Sequence, residues 1–103
     1  MQNNLRDEHM DRLFQAILGL ENLEQCYALF SDLCTVNELL AMKQRFWVAR
    51  LLKEGYIYSD IVEITGASTA TISRVNRCLH YGADGYRTII PRVKGKNKDE
   101  EET

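Results

Sequence analysis

Proline is almost missing from this chain, and its single example, Pro91, lies near the C-terminus. Nothing therefore forbids long helices through the first ninety residues, and no run of alternating β-branched residues competes with them. Cysteine is scarce and odd in number: Cys26, Cys34 and Cys78 are widely spaced, without a CxxC pair or a nearby histidine cluster. That spacing argues against a structural metal and a disulfide framework, and predicts reduced, mostly buried thiols. The opening residues MQNNLRDEH lack the basic segment and apolar run of an export signal, and no apolar stretch approaches membrane-spanning length. The expectation is a soluble, cytoplasmic protein without a membrane partner. His9 and His80 lie far apart and no nucleophile motif accompanies them, so an enzyme is the poorest reading and no cofactor is expected.

What is present is helical patterning. The first helix is expected from about residue 4 to Leu18, with Met10, Leu13, Phe14, Ile17 and Leu18 on one stripe, stopping near Gly19. A second, from about Glu21 to Leu33, carries Leu23, Cys26, Tyr27, Phe30 and Leu33 at three- and four-residue spacing. These are core stripes. Thr35 and Glu38 form a capping box that starts a third helix, running to about Glu54 and ending at Gly55. Leu39, Leu40, Met42, Phe46, Trp47, Val48, Ala49, Leu51 and Leu52 point almost all round its axis. A helix apolar on most faces has to be surrounded, and a chain of 103 residues has little with which to surround it. A second copy is the natural cover, predicting a homodimer in which Trp47 is a core or interface residue.

Residues 58–79, YSDIVEITGASTATISRVNRCL, read as two short helices joined at Gly66, a helix-turn-helix. Ser68 stands as the N-cap of the second helix, while Ile72, Val75 and Leu79 share one side with Ile61 and Ala67 available to pack against them. The other side holds Ala70, Ser73, Arg74 and Arg77, flanked by Thr69 and Thr71, and contains no acid. Arginine pairs bidentately with guanine or phosphate, hydroxyls reach bases or phosphates, and alanine and threonine methyls touch the thymine methyl. The competing reading is a plain helical hairpin with a solvated arginine face.

Net charge is −2, yet its distribution is polar. Residues 1–42 hold Arg6 and Arg12 against seven acids, whereas residues 68–98 hold seven basic side chains against Asp84 alone. Local positive charge drives phosphate binding through counterion release, so double-stranded DNA is the expected partner. Arg92, Lys94, Lys96 and Lys98 share a tail that ends in DEEET, a composition that also suits a merely solubilising segment. The expected organisation is one helical domain over residues 1–92 and a flexible charged tail over 93–103.

The run TVNELLAMKQRFWVARLLKEGYIYSDIVEITGASTATISRVNRCL resembles the Trp repressor superfamily, and GASTATISRVNRCLHYGADGY resembles its smaller Trp-repressor-like YerC/YecD branch. The likeness spans residues 10 to 90 or so. It implies an all-α helical bundle, an intertwined homodimer, and two recognition helices set in successive major grooves. Arg45 and Arg74 match the two arginines that sandwich the indole of tryptophan in the repressor, and Thr35 matches a threonine beside the ligand. Two departures stand against tryptophan as corepressor: bulky Val75 replaces a glycine, and Cys78 replaces a serine that meets the ligand's amino group. The implied effector pocket of Thr35, Arg45, Arg74, Val75 and Cys78 is then either filled, leaving the motif permanently set for DNA, or served by another small molecule.

The expected function is that of a sequence-specific transcriptional regulator, a repressor by preference. Ser68, Thr69, Ala70, Thr71, Ser73, Arg74 and Arg77 would face the groove, with Tyr58 and Ser59 at phosphate and His80 and Arg87 as weaker backbone contacts. The alternative is a protein-interaction module with only nonspecific nucleic-acid affinity.

Overall fold

The computed structural model describes residues 3–93, and every regular element among them is helical. The described chain divides into two compact units, one ending at Leu39 and the other beginning at Leu40.

The first unit opens with a 3-10 turn over Asn3–Leu5, followed by α1, Glu8–Leu18. The helix starts later than its apolar stripe suggests because Asp7 is extended (φ −160°) and its carboxylate accepts the Met10 N–H at 2.7 Å. Glu8 and Asp11 sit in the first turn, where the N–H groups left unpaired by the helix favour negative charge. The second helix, α2, spans Leu23–Leu33 and begins two residues past the expected start for the same reason. Asn22 Oδ1 accepts the Gln25 N–H at 2.9 Å, and Gln25 Oε1 in return accepts the Glu21 N–H at 2.9 Å. Neither helix buries a residue. Leu18 (83% exposed), Leu23 (72%) and Tyr27 (71%) stand in water, while Met10, Leu13, Ile17, Cys26 and Phe30 are half-buried, so the predicted core stripes are only partly covered.

The third helix, α3, runs Val36–Lys53 and begins in the first unit and continues into the second. Its capping box forms as read: Thr35 Oγ1 accepts the Glu38 N–H at 3.0 Å and Glu38 Oε1 accepts the Thr35 N–H at 2.8 Å. Only its C-terminal half is buried: Val48, Ala49 and Leu51 are sealed, Trp47 and Leu52 pack beside them, and Leu40 and Met42 remain exposed. The second unit then adds α4, Tyr58–Thr65, and α5, Thr69–Tyr81, whose Ile61, Ile72 and Val75 complete one core with Ala67 from the turn between them.

Two elements close the described chain: α6, Gly85–Ile89, and a 3-10 turn over Ile90–Arg92 that contains Pro91. Tyr86 and Ile90 bring this segment against the core, and the Tyr86 ring lies 6.2 Å from that of Phe46. Of the tail predicted over 93–103, all but Val93 lies outside the described residues.

The cysteines depart from expectation. All three are free thiols, but Cys26 and Cys34 are only half-buried and Cys78 is exposed. Cys78 lies off the inward stripe of α5, and Cys26 and Cys34 belong to a unit with no buried residue among its helices.

Candidate nucleic-acid interface

The turn between α4 and α5 is built by three adjacent residues. Gly66 adopts φ +75°, the left-handed conformation that ends α4, and its N–H donates to the Val62 carbonyl at 2.8 Å. Thr65 Oγ1 donates to the Ile61 carbonyl at 2.7 Å and accepts the Ala67 N–H at 3.1 Å. Gln44 on α3 donates its side-chain amide to the Thr65 carbonyl at 3.3 Å, tying the turn to the long helix. Ser68 Oγ then caps α5 by accepting the Thr71 N–H at 3.1 Å.

That turn fixes which side of α5 faces out. Ile72, Val75 and Leu79 are buried, as the spacing predicts, and Ala67 and Ile61 pack with the first two. Ser68, Thr69, Ala70, Ser73, Arg74 and Arg77 are exposed together, and Thr71 is half-buried at the edge. No acid occurs between Ala67 and Ala83, so the outward face of α5 is a continuous surface of small, hydroxyl and guanidinium groups. In its chemistry this surface can donate to phosphates and guanines and touch methyl groups.

The supporting residues are less uniform. Ser59 is exposed in the first turn of α4, next to Asp60, whose charge opposes a phosphate there. Tyr58 is half-buried and packs against the core, so its ring is a structural group. His80 is exposed and its Nδ1 donates to the Asn76 carbonyl at 3.0 Å. Arg87 lies 3.6 Å from Asp84, an exposed pair.

Of the residues matched to an effector pocket, Arg45, Arg74 and Cys78 are exposed and Val75 is 1% exposed inside the core cluster. The Thr35 hydroxyl, in the first unit, is spent on its capping box.

One residue of the outward face escaped the motif reading. Tyr81, the last residue of α5, falls four beyond Arg77 and seven beyond Arg74, on their side of the helix. The signal was present in that spacing, but the motif window ends at Leu79.

The fold is all-helical, with two short helices joined by a left-handed glycine and a basic outward face on the second. The family model described as "Trp repressor protein" matches residues 8–94. The chain belongs to the Trp repressor family. The uncharacterized protein YerC of Bacillus subtilis (strain 168) is 54% identical over 92 residues, 89% of this chain and 88% of that protein. A crystal structure of a TrpR like protein from Eubacterium eligens ATCC 27750 is 54% identical with a TM-score of 0.85, covering 88% of this chain and 94% of its own. A second crystal structure, from Staphylococcus aureus, is also 54% identical with a TM-score of 0.86, covering 89% and 93%. No helix among the described residues is long and apolar enough to cross a membrane.

Proposed function

We propose that this protein is a transcriptional regulator, acting as a repressor, that binds double-stranded DNA sequence-specifically as a homodimer through the helix-turn-helix at residues 58–79. The observation that carries the reading is the two-sidedness of α5: Ile72, Val75 and Leu79 are buried while Ala70, Ser73, Arg74 and Arg77 stand exposed with no acid among them. A solvated helical hairpin has no reason to exclude acids from one whole face, whereas a helix that enters a major groove does. Membership of the Trp repressor family supports the same reading.

The dimer is supported by what each chain leaves uncovered. Phe14, Leu18, Leu23, Tyr27, Leu33, Val36 and Leu40 are all exposed, and each such side chain is worth about 1.5–3 kcal/mol when removed from water. A second copy of the chain supplies a matching apolar surface, and an isologous pair would place two α5 helices about one turn of DNA apart. Tryptophan is not required in this reading, because Val75 occupies core volume against the α5 interior.

The test is selection of bound duplexes from a randomised pool at near-physiological salt, without added small molecule. Enrichment of a palindrome with half-sites about 34 Å apart supports the proposal. A protein-interaction module would instead show a salt-dependent affinity with no sequence preference.

A further inference from the structure

We propose that Tyr81 is a sequence-independent anchor of this interface, its phenol donating to a DNA phosphate at the rim of the groove that Arg74 and Arg77 enter. The inference rests on the DNA-binding reading above and assigns a residue that lies outside its motif.

Ala70, Arg74, Arg77 and Tyr81 recur at intervals of four, three and four along α5, which places them on one side of the helix, opposite Ile72, Val75 and Leu79. Tyr81 is 85% exposed, so its ring gives nothing to the core. An aromatic left this bare on a helix is either an accident or a contact, and its alignment with two arginines favours the contact. Its ring lies 6.1 Å from that of His80. At a rise of about 1.5 Å per residue, Tyr81 stands roughly 16 Å along the axis from Ala70. The major groove is only about 12 Å wide, so a stripe of this length, laid across it with Ala70 near the bases, carries Tyr81 past the edge to the level of the phosphate backbone.

A helix C-terminus ordinarily repels phosphate through its unpaired carbonyls. Here one of them is occupied, the Cys78 carbonyl, which accepts the Gly82 N–H at 2.9 Å; one turn further in, His80 Nδ1 also donates to the Asn76 carbonyl at 3.0 Å. The nearest acid downstream, Asp84, lies 3.6 Å from Arg87. With Arg74 and Arg77 on the same stripe and no acid between Ala67 and Ala83, the local charge favours an anion, and the phenol is the one neutral donor on the stripe long enough to reach it. Because a phosphate carries no base information, the contact acts on every sequence alike.

The test compares Tyr81→Phe with the parent protein on a scrambled duplex and on the most enriched duplex from the randomised pool. The substitution removes one exposed oxygen, and an unchanged circular dichroism spectrum verifies the fold. Expected is a loss of affinity on the order of tenfold on both duplexes, with the base preference intact. The salt slope also stays as it was, since a neutral donor displaces no counterion of its own. Parent-like affinity of Tyr81→Phe on both duplexes overturns the proposal, as does a loss confined to the enriched duplex, which would make Tyr81 a base reader. Unchanged DNA affinity in Tyr81→Ala together with weakened self-association overturns it too and gives the residue to a protein contact. A pool without enrichment defeats the sequence-specific reading alone, because the scrambled duplex still reports on Tyr81; a parent protein that binds neither duplex defeats both.

Discussion

Thr65 and Ala67 are joined across Gly66 by a single hydrogen bond, the Ala67 N–H donating to Thr65 Oγ1 at 3.1 Å. Ala67 is 1% exposed, so its amide has no easy recourse to water, and the same hydroxyl donates to the Ile61 carbonyl at 2.7 Å. Thr65→Val keeps the side-chain shape and removes both bonds. Leaving a buried donor unpaired costs roughly 1–3 kcal/mol, and that loss is expected in urea unfolding with the m-value unchanged. DNA affinity should fall with it, because the turn sets the aim of α5. Equal midpoints for variant and parent would show that the hydroxyl is not what holds the turn.

Two glycines on either side of α5 are required for different reasons. Gly66 has φ +75° with nothing within 4 Å of a built Cβ, so Gly66→Ala meets strain but no obstacle. Gly82 has an ordinary negative φ, yet a Cβ there would stand 2.5 Å from the Cys78 carbonyl oxygen. Gly66→Ala should cost about 1–2 kcal/mol, the usual penalty for a side chain in the left-handed region. Gly82→Ala should cost more and should unravel the end of α5, because backbone must shift to admit the methyl. Thermal unfolding of the two variants ranks them, and the reverse order would contradict this division.

The α4–turn–α5 segment was legible in the sequence because each signal there is local. Gly66, the Ser68 cap, and Ile72, Val75 and Leu79 at helical spacing all act within one or two turns, and all appear where their spacing puts them. The capping box at Thr35 and Glu38 is equally local. Helix starts were less legible, since an apolar stripe does not say which of several polar residues bonds back to the chain; Asp7 and Asn22 do so, and shift both starts. The short α6 escaped because five residues carry no periodicity, and because its N-cap, Asp84, takes φ +71°, a conformation expected first of glycine. The cysteines were misjudged because a thiol follows the burial of its helix face rather than its residue type.

The uncovered stripes of α1 and α2 lead to a prediction about assembly. If a second copy covers them, the parent protein should sediment as a dimer and its melting temperature should rise with protein concentration. Leu23→Glu combined with Tyr27→Glu places charge on exposed apolar positions of α2, and should shift the species toward monomer at concentrations where the parent is dimeric. A monomeric parent with a concentration-independent melt would leave the stripes without a partner of this kind.

Arg74 is exposed and takes no part in the core, so Arg74→Ala should leave helicity and self-association unchanged. On an enriched duplex the variant should lose about 1–3 kcal/mol of discrimination at one base pair per half-site. Arg77→Ala should reduce the slope of log affinity against log salt by about 1. Dissociation or unfolding of Arg74→Ala would assign that guanidinium to structure.

Tryptophan offers the sharpest contrast with the repressor whose family this chain joins. Val75 packs with Ile72, Ile61 and Val48 in the core cluster, so the side chain that would narrow an indole site is itself held by burial and has no empty place to swing. Cys78, on the same helix, is exposed and a weak hydrogen-bonding partner for an ammonium group. A ligand that binds only the folded state at a hundred times its Kd raises stability by about 2.7 kcal/mol. Millimolar L-tryptophan is therefore expected to leave both the melting temperature and the DNA affinity where they were. A rise in either would mean that the chain opens a site beside α5 despite Val75, and that the DNA-binding state is under the control of an amino acid after all.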